Sequence, residues 1–177
     1  MARRERDNEP AEVREFEENV ISINRSAKVV KGGKNMSFGA LVVVGNGKGR
    51  VGYGYGKANE VSDAIRKGTE SAHKNLVNFP MNGDTIPHEI EAKFGGARVL
   101  LRPASAGTGL IAGGAMRAIL ELAGVKDVLA KSLGAANSIN VAKATFAAIA
   151  ALSTRDEAFA KRGLAVPQKA AAETENQ

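Results

Sequence analysis

Residues 50–56 read RVGYGYG, with Val51, Tyr53 and Tyr55 alternating against Gly52, Gly54 and Gly56. A period of two is the mark of a β-strand, so one face of this strand is bare backbone. Glycine weakens a strand interior because it has no side chain to pack and loses the most backbone freedom on folding. Something must compensate, and a surface without side chains permits close approach by a helix or by an RNA backbone. Helix packing is the expected use of the glycine face, since a sheet must bury at least one side.

The neighbouring sequence supplies both the sheet and the helix. VISINRSAKVV (20–30) sets Ile21, Ile23, Ala27 and Val29 on one face and Asn24, Ser26 and Lys28 on the other, and MSFGALVVV (36–44) alternates through Met36, Phe38, Ala40, Val42 and Val44. Between them Lys31-Gly32-Gly33-Lys34 predicts a hairpin with positive charge at its tip. Asn46-Gly47-Lys48-Gly49 predicts a second turn. Asn59 reads as a helix N-cap, with Glu60 and Asp63 in the first turn and Val61, Ile65, Gly68, Ala72, Leu76 and Phe79 at helical spacing up to Pro80. FPMNGDTIP (79–87) is the expected linker.

The second half begins again with strands over 84–93 and 97–103. A helix follows within 110–124, stopped by Gly124, then a strand over 127–134 and a helix over 140–152 with Val141, Thr145, Ala148 and Leu152 inward. The predicted fold class is α+β: three antiparallel strands plus a helix over 16–80, then a β-β-α-β-α two-layer unit over 84–153. Flexible tails are expected over 1–15, which is acidic, and over 154–177, which is alanine-rich without a periodic apolar face.

The charge sits in one place. From Asn19 to Asn59 there is no Asp or Glu, while Arg25, Lys28, Lys31, Lys34, Lys48, Arg50 and Lys57 contribute +7, more than the whole chain's net +6. An ordinary solvated surface intersperses both signs, so an acid-free stretch of this length points to a polyanion. Cysteine is absent and His73 and His88 are the only histidines, which excludes thiolate chemistry, disulfides and Cys/His zinc sites. No apolar run is long enough to cross a membrane as a helix and no secretory leader is recognisable, so a cytoplasmic protein is expected.

Catalytic motifs fail on context. Gly47 to Gly52 fits GxGxxG, but a strand pattern follows where a dinucleotide site needs a helix N-terminus, and no kinase lysine, HRD or DFG lies downstream. GYGYGK (52–57) has Val51 where a phosphate loop has its first glycine and Ala58 where it has Ser or Thr. Glu89 and Glu91 are alternate acids on one strand face, an ordinary solvent pattern. No enzyme activity, cofactor, metal or small-molecule substrate is expected. The glycine-rich run AGTGLIAGGAMRA has two readings, a phosphate held at an amide-rich helix end or tight packing through Gly113, Gly114 and Ala115.

NRSAKVVKGG, FGALVVVGNGKGRVGYGYGKANEV, RPASAGTGLIAGGAMRAILELAGV and NSINVAKAT occur in this order. These four stretches resemble the signature segments of small-subunit ribosomal protein S-five, bacterial type, over about Phe16 to Leu152. The resemblance implies a double-stranded-RNA-binding-like N-terminal unit and a C-terminal β/α unit in one rigid, ribosome-bound protein that supports translational accuracy. Its implied partners are small-subunit ribosomal RNA, mRNA where it enters its channel, and ribosomal proteins S-four and S-eight. Implied RNA-binding residues are Arg25, Lys28, Lys31, Gly32, Gly33, Lys34, Lys48, Arg50 and Lys57, and Gly107, Gly109 and Arg117 fall in the stretch implied to lie near S-four. The tip departs from the family pattern, since Lys34-Asn35-Met36 is less basic and aromatic than the arginine-rich version.

Overall fold

The glycine face of the third strand lies directly on a helix. The structure is a computed structural model that describes residues 16–164; the expected tails over 1–15 and beyond Leu164 lie outside the described residues. Strands β1 (Glu17–Val30), β2 (Gly33–Gly45) and β3 (Arg50–Ala58) are followed by helix α1 (Val61–Lys74) and strand β4 (Leu76–Asn78). They form an antiparallel sheet in the order β1-β2-β3-β4. A methyl group on Gly52, Gly54 or Gly56 would collide with the carbonyl oxygen of Ala72, Gly68 or Ala64 respectively.

The match of the two spacings is geometric. Two residues of strand advance about 6.7 Å and four residues of helix about 6 Å, so glycines at every second strand position meet small residues at every fourth helix position. Ala64, Gly68 and Ala72 are the buried residues of α1. The expected stripe of Val61, Ile65, Gly68 and Ala72 is right at Gly68 and Ala72, while at its start Ala64 is the buried residue and Ile65 is half-buried beside it. The same stripe carries the expected helix on to Phe79. Instead α1 ends at Lys74, and Leu76 and Val77 pair with Gly52 and Val51 as a fourth strand that covers the edge of β3. Leu76 and Phe79 fit a helical spacing but also a short edge strand, and the unpaired edge of β3 decides between them.

A bulge in β1 changes which residues share a face. Val20 pairs with Val42 and Ser22 with Leu41, so Ile21 is left without a partner. A one-residue insertion sends the following side chains to the opposite side from a regular count. Ile21 packs toward the second unit, whereas Ile23 pairs with Ala40, which belongs to the cluster under α1. The expectation that Ile21 and Ile23 lie together is therefore corrected.

The second unit comprises β5 (Ile90–Phe94), β6 (Ala97–Pro103), β7 (Leu110–Ile111), α2 (Gly114–Ala123), β8 (Val128–Gly134), α3 (Ser138–Ala151) and α4 (Arg155–Lys161). Its sheet runs β5-β6-β8-β7, with β7 parallel to β8 and the other pairs antiparallel. Three elements differ from the sequence expectation. Residues 84–89 precede the strand rather than extend it, β7 is added, and Thr154 caps α4 through a capping box with Glu157 inside the segment expected to be tail. α4 buries none of its residues, which is why no apolar periodicity announced it.

One apolar core joins the two units. Leu41, Val43 and Val51 of the first sheet share a cluster with Ile119 and Leu120 of α2, Phe146 and Ile149 of α3, and Val99 and Leu101 of β6. β2 is consequently buried on both faces from Gly39 to Gly45, with Ala40, Val42 and Val44 facing α1. α3 is buried around most of its circumference, as an alanine-rich helix must be when a sheet lies on either side. Replacing Gly54 with Ala is expected to destabilise the fold by about 2 kcal/mol or more, since backbone rather than a mobile side chain blocks the methyl group. Gly114→Ala, which meets open space, serves as the control in urea unfolding and should change stability little.

Candidate nucleic-acid interface

Beyond the pairing of Phe38 with Ala58, β1 and β2 continue as a ribbon of two strands with no third strand beside them. Its outer five residues per strand project about 17 Å from the sheet. Lys31 and Gly32 form the turn, and Gly32 has φ 97°, a left-handed conformation that glycine adopts without a Cβ penalty. Every residue from Ile23 to Met36 is exposed.

Directly paired residues share a face, so the register sorts the side chains. Arg25 pairs with Phe38, Ala27 with Met36 and Val29 with Lys34 on one side. Asn24 pairs with Gly39, Ser26 with Ser37 and Lys28 with Asn35 on the other. The first side is largely aliphatic and carries Arg25 and Lys34; the second is polar and carries Lys28. Arg25 Nε lies 3.0 Å from Met36 Sδ, which lays the guanidinium along the ribbon. Lys57 pairs with Gly39 and so stands on the polar side at the root.

The structure separates the remaining two cations from these five. Lys48 and Arg50 flank the β2–β3 turn at the other end of the sheet, about 20 Å along the strands from Gly39. Asn46 Oδ1 accepts from the amides of Lys48 and Arg50 at 2.9 and 3.0 Å, shaping the turn. Gly47 and Gly49 then donate their N–H groups to the carbonyls of Leu122 and Ala123, both at 2.9 Å. These carbonyls end α2, whose own amides at Gly124 and Val125 return to Glu121 and Leu120 in a Schellman stop. The glycine-rich turn that resembles a nucleotide loop in sequence is thus used to join the two units.

None of the seven cations forms an ion pair among the described residues. Ion pairs occur only outside this segment among the described residues: Arg98 and Arg102 on the open side of the second sheet meet Glu91 and Glu89 at 2.7 and 2.9 Å. These pairs give Glu89 and Glu91 their structural use. His73 stands edge-on to Phe16, and His88 bonds the carbonyl of Glu89 and the amide of Ser153. No cluster of metal-binding side chains occurs among the described residues.

Gly107 and Gly109 lie in the loop between β6 and β7, and Arg117 lies in the first turns of α2. The Gly109 amide donates to Asp127 Oδ1 at 2.7 Å, and Asp127 is one of the two buried polar side chains among the described residues. Sequence reasoning missed Asp127, and nothing but an acid just before a strand marked it. Arg117 lines a hollow of about 480 Å³ with Gly113, Gly114, Ser132 and Ser138. A methyl group on Gly114 would meet nothing there, so close packing is not what requires that glycine.

Fold and ribbon together define a small α+β protein of two units that projects an acid-free basic β-ribbon. Residues 16–80 match the family described as "Ribosomal protein S5, N-terminal domain", and residues 92–162 match "Ribosomal protein S5, C-terminal domain". Curated relatives named "Small ribosomal subunit protein uS5" include one from Protochlamydia amoebophila, 60% identical over 83% of this chain and 88% of its own length. Another, from Treponema denticola, is 56% identical over 89% of this chain and 91% of its own. The chain belongs to the ribosomal protein S5 family, a family of structural, non-enzymatic proteins.

Removing the carboxylate in Asp127→Ala would leave the Gly109 amide without its acceptor at a site that is largely buried. A loss of about 1–3 kcal/mol is expected in urea unfolding, with faster proteolysis confined to 104–111.

Proposed function

We propose that the chain is a structural constituent of the small ribosomal subunit and grips ribosomal RNA with the β1–β2 ribbon. One observation carries this reading: the cations of the 19–59 segment have no acidic partners among the described residues, and five of them, Arg25, Lys28, Lys31, Lys34 and Lys57, stand on or at the root of a projecting two-stranded arm. Each basic side chain placed against a phosphate releases condensed counterions, so affinity accumulates over the arm and falls with salt. An unpaired lysine has no partner to give up on binding, unlike Arg98 and Arg102, which would have to break ion pairs first.

Folded RNA is the polyanion that suits a narrow ribbon. The deep groove of an A-form helix hides its bases from side chains, so recognition rests on shape, phosphates, sugars and unpaired nucleotides. Gly32 and Gly33 at the tip keep it slim enough to enter between RNA segments. Lys48 and Arg50, at the opposite end of the sheet, would touch a separate RNA segment or none.

The same reading extends to the rest of the resemblance. The unit over 16–80 holds RNA, the unit over 84–153 faces neighbouring proteins, and the Gly107, Gly109 and Arg117 region meets S-four, where accuracy of decoding is influenced. S-eight is a second protein neighbour, and mRNA passes nearby as it enters its channel. The protein is ribosome-bound and cytoplasmic. The relatives' name and their match along most of the chain support the assignment to the small subunit.

The chain should sediment with small subunits and whole ribosomes at moderate salt, and recovery only from the soluble pool would overturn the assignment. Changing Lys28, Lys31 and Lys34 together to Gln should weaken binding to purified small-subunit RNA and flatten the slope of log affinity against log salt by about 2 to 3 units. An unchanged slope would remove the arm from the interface.

A further inference from the structure

Tyr55 is placed where no fold requirement puts it. The strand alternation turns Val51, Tyr53 and Tyr55 to one side, and the first two are used in the core: Val51 is fully buried and the Tyr53 ring lies 4.6 Å from that of Phe146. Tyr55 lies one step beyond the cover of the second unit and is 45% exposed. Phe94, the other exposed aromatic among the described residues, has the Lys143 ammonium 5.0 Å from its ring centre; Tyr55 has neither a ring nor a cation partner. Water contact over so much aromatic surface costs free energy that packing elsewhere would recover.

The ring nevertheless has a built seat. A Cβ on Gly39 would stand 2.7 Å from Cζ and 3.2 Å from Cε2 of Tyr55, so the outer end of the ring rests on bare backbone of β2. Glycine at this position lets the phenol lie down beside the strand and present its remaining surface outward. The surroundings are polar and cationic: Gly39 pairs with Lys57 on one side and with Asn24 on the other, and Ser26, Ser37 and Lys28 continue along the same side of the ribbon. No acid occurs anywhere in the segment.

From this placement we infer that Tyr55 is a stacking platform for one unpaired RNA base, with Lys57 and Lys28 on flanking phosphates and Asn24 within the same strip to meet the base edge or sugar. The inference rests on the proposed ribosomal RNA reading and deepens it. A ring seated on backbone and held by two torsions gives stacking area at little entropic cost, which is the way single-stranded RNA is held on β-sheet surfaces. An acidic protein partner would satisfy the lysines as well, but it has no use for an exposed flat ring beside a row of hydroxyls and amides. Paired bases offer no free face, so the base is one released from its helix.

The test measures affinity of the intact protein for purified small-subunit RNA by filter binding across a salt series. Tyr55→Leu should weaken binding about 5- to 150-fold, the range for losing one stacked base. The salt slope should not change, because no charge is lost. Tyr55→Phe should bind nearly as wild type, since the ring and not the hydroxyl does the stacking. Gly39→Ala, which unseats the ring without removing it, should lie between, and thermal unfolding of each variant distinguishes loss of binding from loss of fold. Ultraviolet crosslinking of the complex should join Tyr55 to a nucleotide. Wild-type affinity in Tyr55→Leu, with the triple lysine variant still weakened, overturns the platform and leaves the RNA reading standing. An unchanged slope in the lysine variant removes the arm from the RNA interface, and with it the reading on which the platform rests.

Discussion

Contact between the backbones of β3 and α1 is the constraint on which the rest of the first unit depends. With Gly52, Gly54 and Gly56 against Ala72, Gly68 and Ala64, no side chain separates sheet from helix over three successive steps. Such an approach fixes both the position and the direction of α1, because a shift by one residue on either element would drive a Cβ into a carbonyl. It also leaves the Val51, Tyr53 and Tyr55 side free to serve another purpose. Two of those side chains join the core with the second unit, and the sheet becomes the middle of a layered structure. The backbone freedom lost at three glycines is offset by burial on both sides of β2 and β3.

A fixed sheet gives the arm its orientation. β2 is held on both faces from Gly39 to Gly45, and beyond Gly39 it runs on with β1 without cover. The bulge at Ile21 sets how β1 matches β2: without it the β1 side chains beyond Ile21 would turn to the opposite side while those of β2 kept theirs. The docking of Gly47 and Gly49 on the last carbonyls of α2 secures the opposite end of the same strands. A rigid base at one end and a bare ribbon at the other is what places charge at a distance from the core.

Much of this was legible in the sequence where one residue type has one use. The alternation in 50–56 and the left-handed stop at Gly124 each have a single physical reading, and the structure carries them as expected, whereas the hairpin turn falls on Lys31 and Gly32, one residue before the Gly-Gly pair. The face assignment of Ile21 and Ile23 was not legible, because a bulge depends on the partner strand and leaves no mark in composition. Leu76 to Asn78 went to a strand rather than a helix for a similar reason: an open edge at β3 is a tertiary fact. The seven cations read as one block along the chain, yet they lie at two ends of the sheet, since a hairpin returns residues near their starting point while a strand carries them away. Asp127 and Tyr55 act through neighbours distant in sequence, Gly109 and Gly39, and no local pattern points to either.

Charge distribution follows from the same geometry. The outer side of the second sheet carries Lys93, Arg98, Arg102 and Lys131, and there Glu89 and Glu91 stand opposite Arg102 and Arg98, which lowers its positive charge without removing it. Exposed ion pairs of this kind add little stability, so their consequence is chiefly to remove free positive charge from that surface. On the ribbon the reverse arrangement keeps five cations unpaired at a cost in mutual repulsion that solvent and salt reduce but do not abolish. An arm without acids on a body that mixes both signs directs a polyanion to one end of the molecule, and the placement of acids helps to select that end alongside the placement of lysines.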